Sequence, residues 1–158
     1  TVPAMDDLHP IDANGRRMEA FLTDGLRSLT NLSATAMGEY TVRWPGHIQR
    51  YQSTTLEPEE LVEAWAFDEN RPEFTWLEVK VESGNKTRIW TVEDQGRDGD
   101  SSMARTTGLV TYACVMAWTK QELFQDGVHP PEALPVSVIH DVIATLREEG
   151  VLIDETVA

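Results

Sequence analysis

The stretch FTWLEVKVESGNKTRIWTV, residues 74–92, decides the fold class. Phe74–Val81 and Thr87–Val92 are rich in aromatic and β-branched residues and read as strands. Ser83-Gly84-Asn85 between them is a short glycine-bearing loop, so the pair predicts a β-hairpin. Downstream, residues 93–102 read as an acidic, glycine-bearing loop. From Met103 to Phe124 the pattern predicts the longest helix, apolar nearly all round between Leu109 and Trp118, which implies burial in the middle of the fold. Gly127-Val128-His129-Pro130-Pro131 breaks it. Val136, Ile139, Ile143 and Leu146 then recur at helical spacing, Gly150 stops that helix, and Val151-Leu152-Ile153 is a candidate final strand.

Upstream, Met18, Ala20 and Leu22 alternate with their neighbours and predict a short strand over Arg17–Leu22. Thr23-Asp24-Gly25 stops it, and Asp24 can cap a helix carrying Leu26, Leu29 and Leu32. Glu39–Trp44 alternates again, with Tyr40, Val42 and Trp44 on one side. Pro45-Gly46 ends that strand and opens a helix through about Thr54, with Pro45 suited to the first helical position. A second helix starts at Pro58, with Glu59 and Glu60 complementing its positive end and Leu61, Trp65 and Ala66 as its buried stripe. Residues 1–15, polar and marked by proline and glycine, are expected to form a linker or a frayed start, and residues 16–158 a single domain. The expected class is α+β, a mixed or mostly antiparallel sheet with packed helices.

At 158 residues the chain is about one domain long, and its 41% apolar content, roughly 47% with its 10 glycines counted, is that of a globular protein rather than a disordered tail. The 27 acidic and 13 basic residues leave a net charge of −14 and a pI near 4.5. Such a surface repels phosphate backbones and anionic lipid, so neither nucleic acid nor membrane is an expected partner. The single cysteine, Cys114, excludes an internal disulfide and any multi-cysteine zinc site. The N-terminal residues lack the basic-then-apolar pattern of a secretory signal. Beginning at Thr1 without methionine, the chain reads as a piece of a longer polypeptide, with the cytoplasm as the expected location.

No G-x-G-x-x-G or G-x-x-x-x-G-K-[ST] occurs, so the chain has no recognisable dinucleotide or P-loop cradle. G-x-S-x-G and H-E-x-x-H are also missing. The four histidines share no metal-ligand spacing. Asp94–Asp100 resembles a calcium loop only superficially and reads as a solvated acidic loop, so no metal is expected. Three polar constellations remain, each at a helix start, where unpaired N–H groups and the positive dipole end favour carboxylates and phosphates. In Thr23-Asp24-Gly25-Leu26-Arg27, Arg27 is either a surface arginine or one turn into a helix and aimed at a substrate carboxylate. In Arg43-Trp44-Pro45-Gly46-His47, Trp44 and His47 are either core and a helix-start hydrogen bonder, or parts of a site. In that second reading Gly46 admits a close neighbour and His47 tends to be neutral, since the dipole disfavours its cation. In SSMARTTG (101–108), Ser101 or Ser102 caps the helix, Arg105, Thr106 and Thr107 occupy its opening turns, and Gly108 either packs tightly or admits a ligand.

The order EAFLTDGLRSL (19–29), YTVRWPGHIQ (40–49), SSMARTTGLVTYA (101–113) and GVHPPE (127–132) resembles the saccharopine dehydrogenase family, including the related lysine dehydrogenases. The match is to the C-terminal, non-Rossmann domain and covers most of the chain. This resemblance implies a substrate-binding and dimerisation domain of an NAD(P)-dependent oxidoreductase acting on the C–N bond of an amino acid such as lysine or saccharopine. It implies NAD or NADP held mainly by an upstream Rossmann domain, with no cofactor in this chain alone, and pairing as a homodimer. Arg27 and Arg43 become candidate clamps for the substrate carboxylate, because guanidinium pairs bidentately with it. His47 becomes the candidate base or orienter. Thr23 would line the pocket, Arg105, Thr106 and Thr107 would line it or meet the phosphate side of the cofactor, and Asp24 would cap and orient. Two alternatives stand beside it: an assembly domain of the same ancestry without chemistry, and a free-standing amino-acid binding module.

Overall fold

The computed structural model describes residues 5–23, 25, 32–66, 68, 70, 73–120 and 126–158. The fold is α+β: two three-stranded sheets, every strand pair antiparallel, with four α-helices among the described residues. Backbone contacts gather into two compact units, residues 1–67 and 68–158. The physical reason is that each sheet is assembled from strands of its own unit.

In the first unit, β1 (His9–Ala13), β2 (Arg16–Thr23) and β3 (Glu39–Arg43) pair in that order. The expected linker over 1–15 therefore contains a strand. Its cause is the dipeptide Asn14-Gly15, whose φ angles of 55° and 81° form a two-residue turn with both central residues left-handed, matched to the twist of paired strands. The Asp12 carboxylate accepts from the Gly15 N–H at 2.8 Å and closes the turn. Ala13, Met18 and Ala20 are buried, as the alternation in Arg17–Leu22 requires. Two short helices follow, α1 (His47–Ser53) and α2 (Pro58–Ala64). Pro58 occupies the start of α2, where Glu57 and Glu60 form a reciprocal capping box. Of the expected stripe, Leu61 and Trp65 are half-buried and Ala66 is exposed. Asp24 and residues 26–31 lie outside the described residues, and with them the helix expected there and its Arg27.

In the second unit, β4 (Phe74–Ser83), β5 (Lys86–Gln95) and β6 (Leu152–Val157) pair in that order. Ser83 faces Lys86, so Gly84-Asn85 is the whole hairpin loop. β5 runs to Gln95 and buries Asp94, which shortens the acidic loop expected over 93–102. What remains is a tight turn in which Arg97 and Asp100 exchange two backbone hydrogen bonds of 3.0 Å across Asp98-Gly99. α3 (Ser102–Thr119) packs along α4 (Val136–Glu148), with Ala113, Ala117, Val138 and Leu146 buried. The expected extension of α3 to Phe124 falls partly on residues 121–125, outside the described residues. α4 ends as Gly150 predicts: Val151 N–H returns to the Leu146 carbonyl and Gly150 N–H to that of Arg147, the doubly bonded glycine stop.

The expectation that α3 is buried all round is overturned. Tyr112, Val115 and Trp118 are exposed, Trp118 by 66%. Among the described elements α3 packs against α4 and against β4 and β5, and apolar periodicity alone does not say how many neighbours a helix has. Gly108 likewise meets nothing within 4 Å of a Cβ built on it, so no close approach within the described chain requires it. Gly96 is the opposite case. A Cβ there would press into the Glu73 carboxylate and lie 2.8 Å from the Asp100 carbonyl.

These contrasting surroundings predict opposite signs for one substitution. Gly108→Ala should stabilise the protein by up to about 1 kcal/mol through helix propensity, and Gly96→Ala should destabilise it by about 1–3 kcal/mol through overpacking. Urea denaturation midpoints measure both.

Candidate functional site

The motif Arg43–His47 forms the junction of β3 and α1. His47 N–H donates to the Trp44 carbonyl at 3.1 Å, and Gly46, at φ 80° and ψ −5°, is the third residue of that turn. With proline second and glycine third this is a type II turn, whose third position requires positive φ. Pro45 thus belongs to the turn and not to the first helical position, and Gly46 is there for its backbone angle, with nothing within 4 Å of its absent side chain. From β2, opposite Arg43 in the ladder, Glu19 reaches across and accepts from the Gly46 N–H at 2.9 Å.

The turn sets His47 at the first position of α1, where its ring lies 4.6 Å from that of Trp65 at an interplanar angle of 37°. Tyr51, one helical turn on, stands 6.0 Å from the same indole. Burial lowers the His47 pKa below the ordinary histidine value, and the positive charge of Arg43 lowers it further. The imidazole is therefore neutral at pH 7 and able to accept a proton. Arg43, exposed, donates from Nη1 to the Val42 carbonyl at 2.8 Å. Trp44 is exposed rather than core. Thr23 Oγ1, at the end of β2, donates to Glu39 at 3.2 Å. Asp24 and Arg27 are outside the described residues.

The third constellation belongs to the second unit, where its groups have internal tasks. Ser101 caps α3, its side chain accepting from the Ala104 N–H at 3.2 Å. The anion that a helix start attracts is supplied by the chain itself: Glu73 accepts from Ser102 N–H and from Ser102 Oγ, each at 2.6 Å, and Thr75 Oγ1 lies 2.8 Å from that hydroxyl. Arg105 donates from Nε to Asp94 at 3.2 Å and from Nη2 to the Glu149 carbonyl at 3.1 Å. Arg97 donates to that same carbonyl, so two cations meet the negative end of α4. Thr106 Oγ1 returns to the Ser102 and Met103 carbonyls, and Thr107 is exposed. An open cavity of about 330 Å³ lies beside Arg97 and Gly150, with Glu93 and Asp94 in its wall.

Sequence reasoning missed Glu19, Trp65, Glu73 and Asp94 as partners. Asp94 carried a readable signal: it continues the phase of Trp90 and Val92 along β5, so its side chain faces the same way as theirs. At the start of α3 the place that an external anion could take is filled by Glu73. Among the described residues no group of three or more His, Cys, Asp or Glu is placed to hold a metal ion, and no helix is long and apolar enough to cross a membrane. No protein-family model, curated protein or solved structure matches the chain.

The surroundings of His47 fix the sign of its titration. Its folded pKa is depressed, so its contribution to stability is fully present above the unfolded value of about 6.5 and is lost as pH falls through the folded value. By NMR its ring should titrate below 6.5, with Arg43→Gln and, more strongly, Trp65→Ala moving the midpoint upward. Glu73→Ala removes the acceptor of two Ser102 donors and should cost about 1–3 kcal/mol in urea unfolding.

Proposed function

We propose that this chain is the substrate-binding and dimerisation domain of an NAD(P)-dependent oxidoreductase that acts on the C–N bond of an amino acid. The observation that carries this reading is the Arg43-to-His47 turn, which sets a permanent cation beside an imidazole whose protonated form is disfavoured. Two chemical needs of amino-acid oxidation match it. The substrate carboxylate must be held, and Arg43 offers forked donors for it. The amine must lose its proton before hydride can leave the adjacent carbon, and His47 accepts that proton or orients the amine.

The four ordered motifs quoted above support the same assignment, and Arg27 is its second clamp. Since Arg105 is engaged with Asp94 and Glu149, the clamp does not depend on it. The dinucleotide, whose chemistry is to take up the hydride, is held in this reading by a separate Rossmann domain. Alone the chain binds substrate without turning it over, since catalysis requires the hydride donor at contact distance.

The test uses this chain and amino acids of the lysine and saccharopine type, each compared with its α-amide by calorimetry. The free acids should bind, and both the α-amides and the Arg43→Gln variant should bind about tenfold more weakly, which is about 1.4 kcal/mol. Equal affinity for acid and amide, or unchanged affinity in Arg43→Gln, overturns the assignment.

A further inference from the structure

β4 is an edge strand: β5 is its neighbour on one side, and no described strand pairs with the other. Its backbone polarity follows from the ladder. Thr87 exchanges both backbone hydrogen bonds with Ala158, at 2.8 and 2.9 Å, so Thr87 points its N–H and C=O at the β6 side of the sheet. Glu82, opposite Thr87 on β4, therefore points its own pair away from β5. By alternation Lys80, Glu78 and Trp76 do the same. The free edge thus presents a row of donors and acceptors, which is a template for another strand.

The side chains along this edge divide by face. Leu77, Val79 and Val81 stand on one side, exposed by 50, 45 and 49%, and Glu78, Lys80 and Glu82 on the other. Lys80 Nζ lies 2.7 Å from Glu82 in its own strand, and Glu78 on the other side of it adds its negative charge. An exposed aliphatic row on a long edge strand is a surface that soluble proteins ordinarily cover or blunt.

We propose that a second copy of this chain covers it, β4 pairing antiparallel with β4 of the partner about a two-fold axis at Val79 to give one six-stranded sheet. Charge selects the register. The outward-pointing residues must face one another, which leaves a short set of two-fold alignments. Centring on Glu78 sets that carboxylate against itself. Centring on Lys80 sets two ammonium groups together and Glu78 against Glu82. Centring on Val81 avoids repulsion and pairs Lys80 with Glu82, but overlaps little more than residues 79–83. Centring on Leu77 overlaps residues 74–80 without repulsion, but sets Glu78 against Trp76 and Lys80 against Phe74 and so forms no ion pair. Centring on Val79 overlaps residues 75–83, pairs Glu78 with Lys80 twice, and sets Leu77 against Val81 on the apolar face. Residue i then meets j while j meets i, as an isologous contact demands. Leu77, Val79 and Val81 fall at non-hydrogen-bonded positions, where side chains approach most closely.

This inference rests on the dimerisation half of the proposed function and is independent of the substrate half. Sedimentation velocity on the whole chain reads it out. The wild type should dimerise in the micromolar range, and Glu78→Lys, which sets like charges opposite Lys80 twice, should weaken the dimer about tenfold or more with unchanged circular dichroism. The double variant Glu78→Lys/Lys80→Glu should restore it. In a Cys114→Ser background, Val79→Cys should oxidise to a covalent dimer, since Cα atoms at such a pair stand about 4.5 Å apart, within disulfide reach. A monomeric wild type overturns both this interface and the dimerisation reading. A dimer that persists in Glu78→Lys, is not regained by the charge swap, or fails to cross-link through Val79→Cys overturns this interface and leaves dimerisation through another surface.

Discussion

A carboxylate taken out of water needs a cation or hydrogen-bond donors to compensate its lost hydration, and in residues 68–158 that constraint joins three elements at one place. Asp94 and Arg105 have side chains exposed by only 3 and 12%, and the bond between them ties the end of β5 to the opening turns of α3. Because Arg105 also reaches the carbonyl at the end of α4, the same guanidinium fixes both helices against the sheet. A slip of one residue in β5 would turn Asp94 to the opposite face and leave the arginine buried without its anion. Register in this unit is therefore held by electrostatics as well as by apolar burial. Glu73 does the equivalent work at the first turn of α3, where it occupies the position that an external anion would take.

In residues 1–67 the organising constraint is conformational. A type II turn demands a residue with positive φ in its third position, and Gly46 meets that demand without strain. The turn converts the strand carrying Arg43 into the helix carrying His47 within four residues, and Glu19 holds the free N–H of the turn from the neighbouring strand. Trp65, arriving from the end of α2, then shields one side of the imidazole. Proximity of cation and base is thus a property of local backbone geometry, whereas neutrality of the base depends also on the tryptophan eighteen positions away.

Local signals were the legible ones. The hairpin between β4 and β5, the strands around Met18 and Val42, the proline start of α2 and the glycine stop of α4 all follow from periodicity and turn chemistry a few residues long. The strand over His9–Ala13 was equally available through Asn14-Gly15, but the proline- and glycine-rich composition of that stretch concealed it. What periodicity could not supply was the number of neighbours each element meets, which is why α3 reads as buried while Trp118 lies open to solvent. At the site, the residue types at 43 and 47 were visible in advance. Their partners Trp65 and Glu19, and the Glu73 that fills the start of α3, were not, because each acts across a separation for which sequence spacing has no rule.

The pairing of Arg88 with Val157 and of Glu93 with Leu152 makes β5 dependent on residues added some sixty positions after it. During synthesis β4 and β5 can close their hairpin as soon as both have left the ribosome, yet the far side of β5 stays bare until translation has passed residue 157. The strands of the first sheet, by contrast, are complete once Arg43 emerges. Growing chains of this protein therefore carry a finished first sheet ahead of a half-built second one, and the interval in which an unprotected strand could meet other nascent chains is set by the time needed to translate α3 and α4.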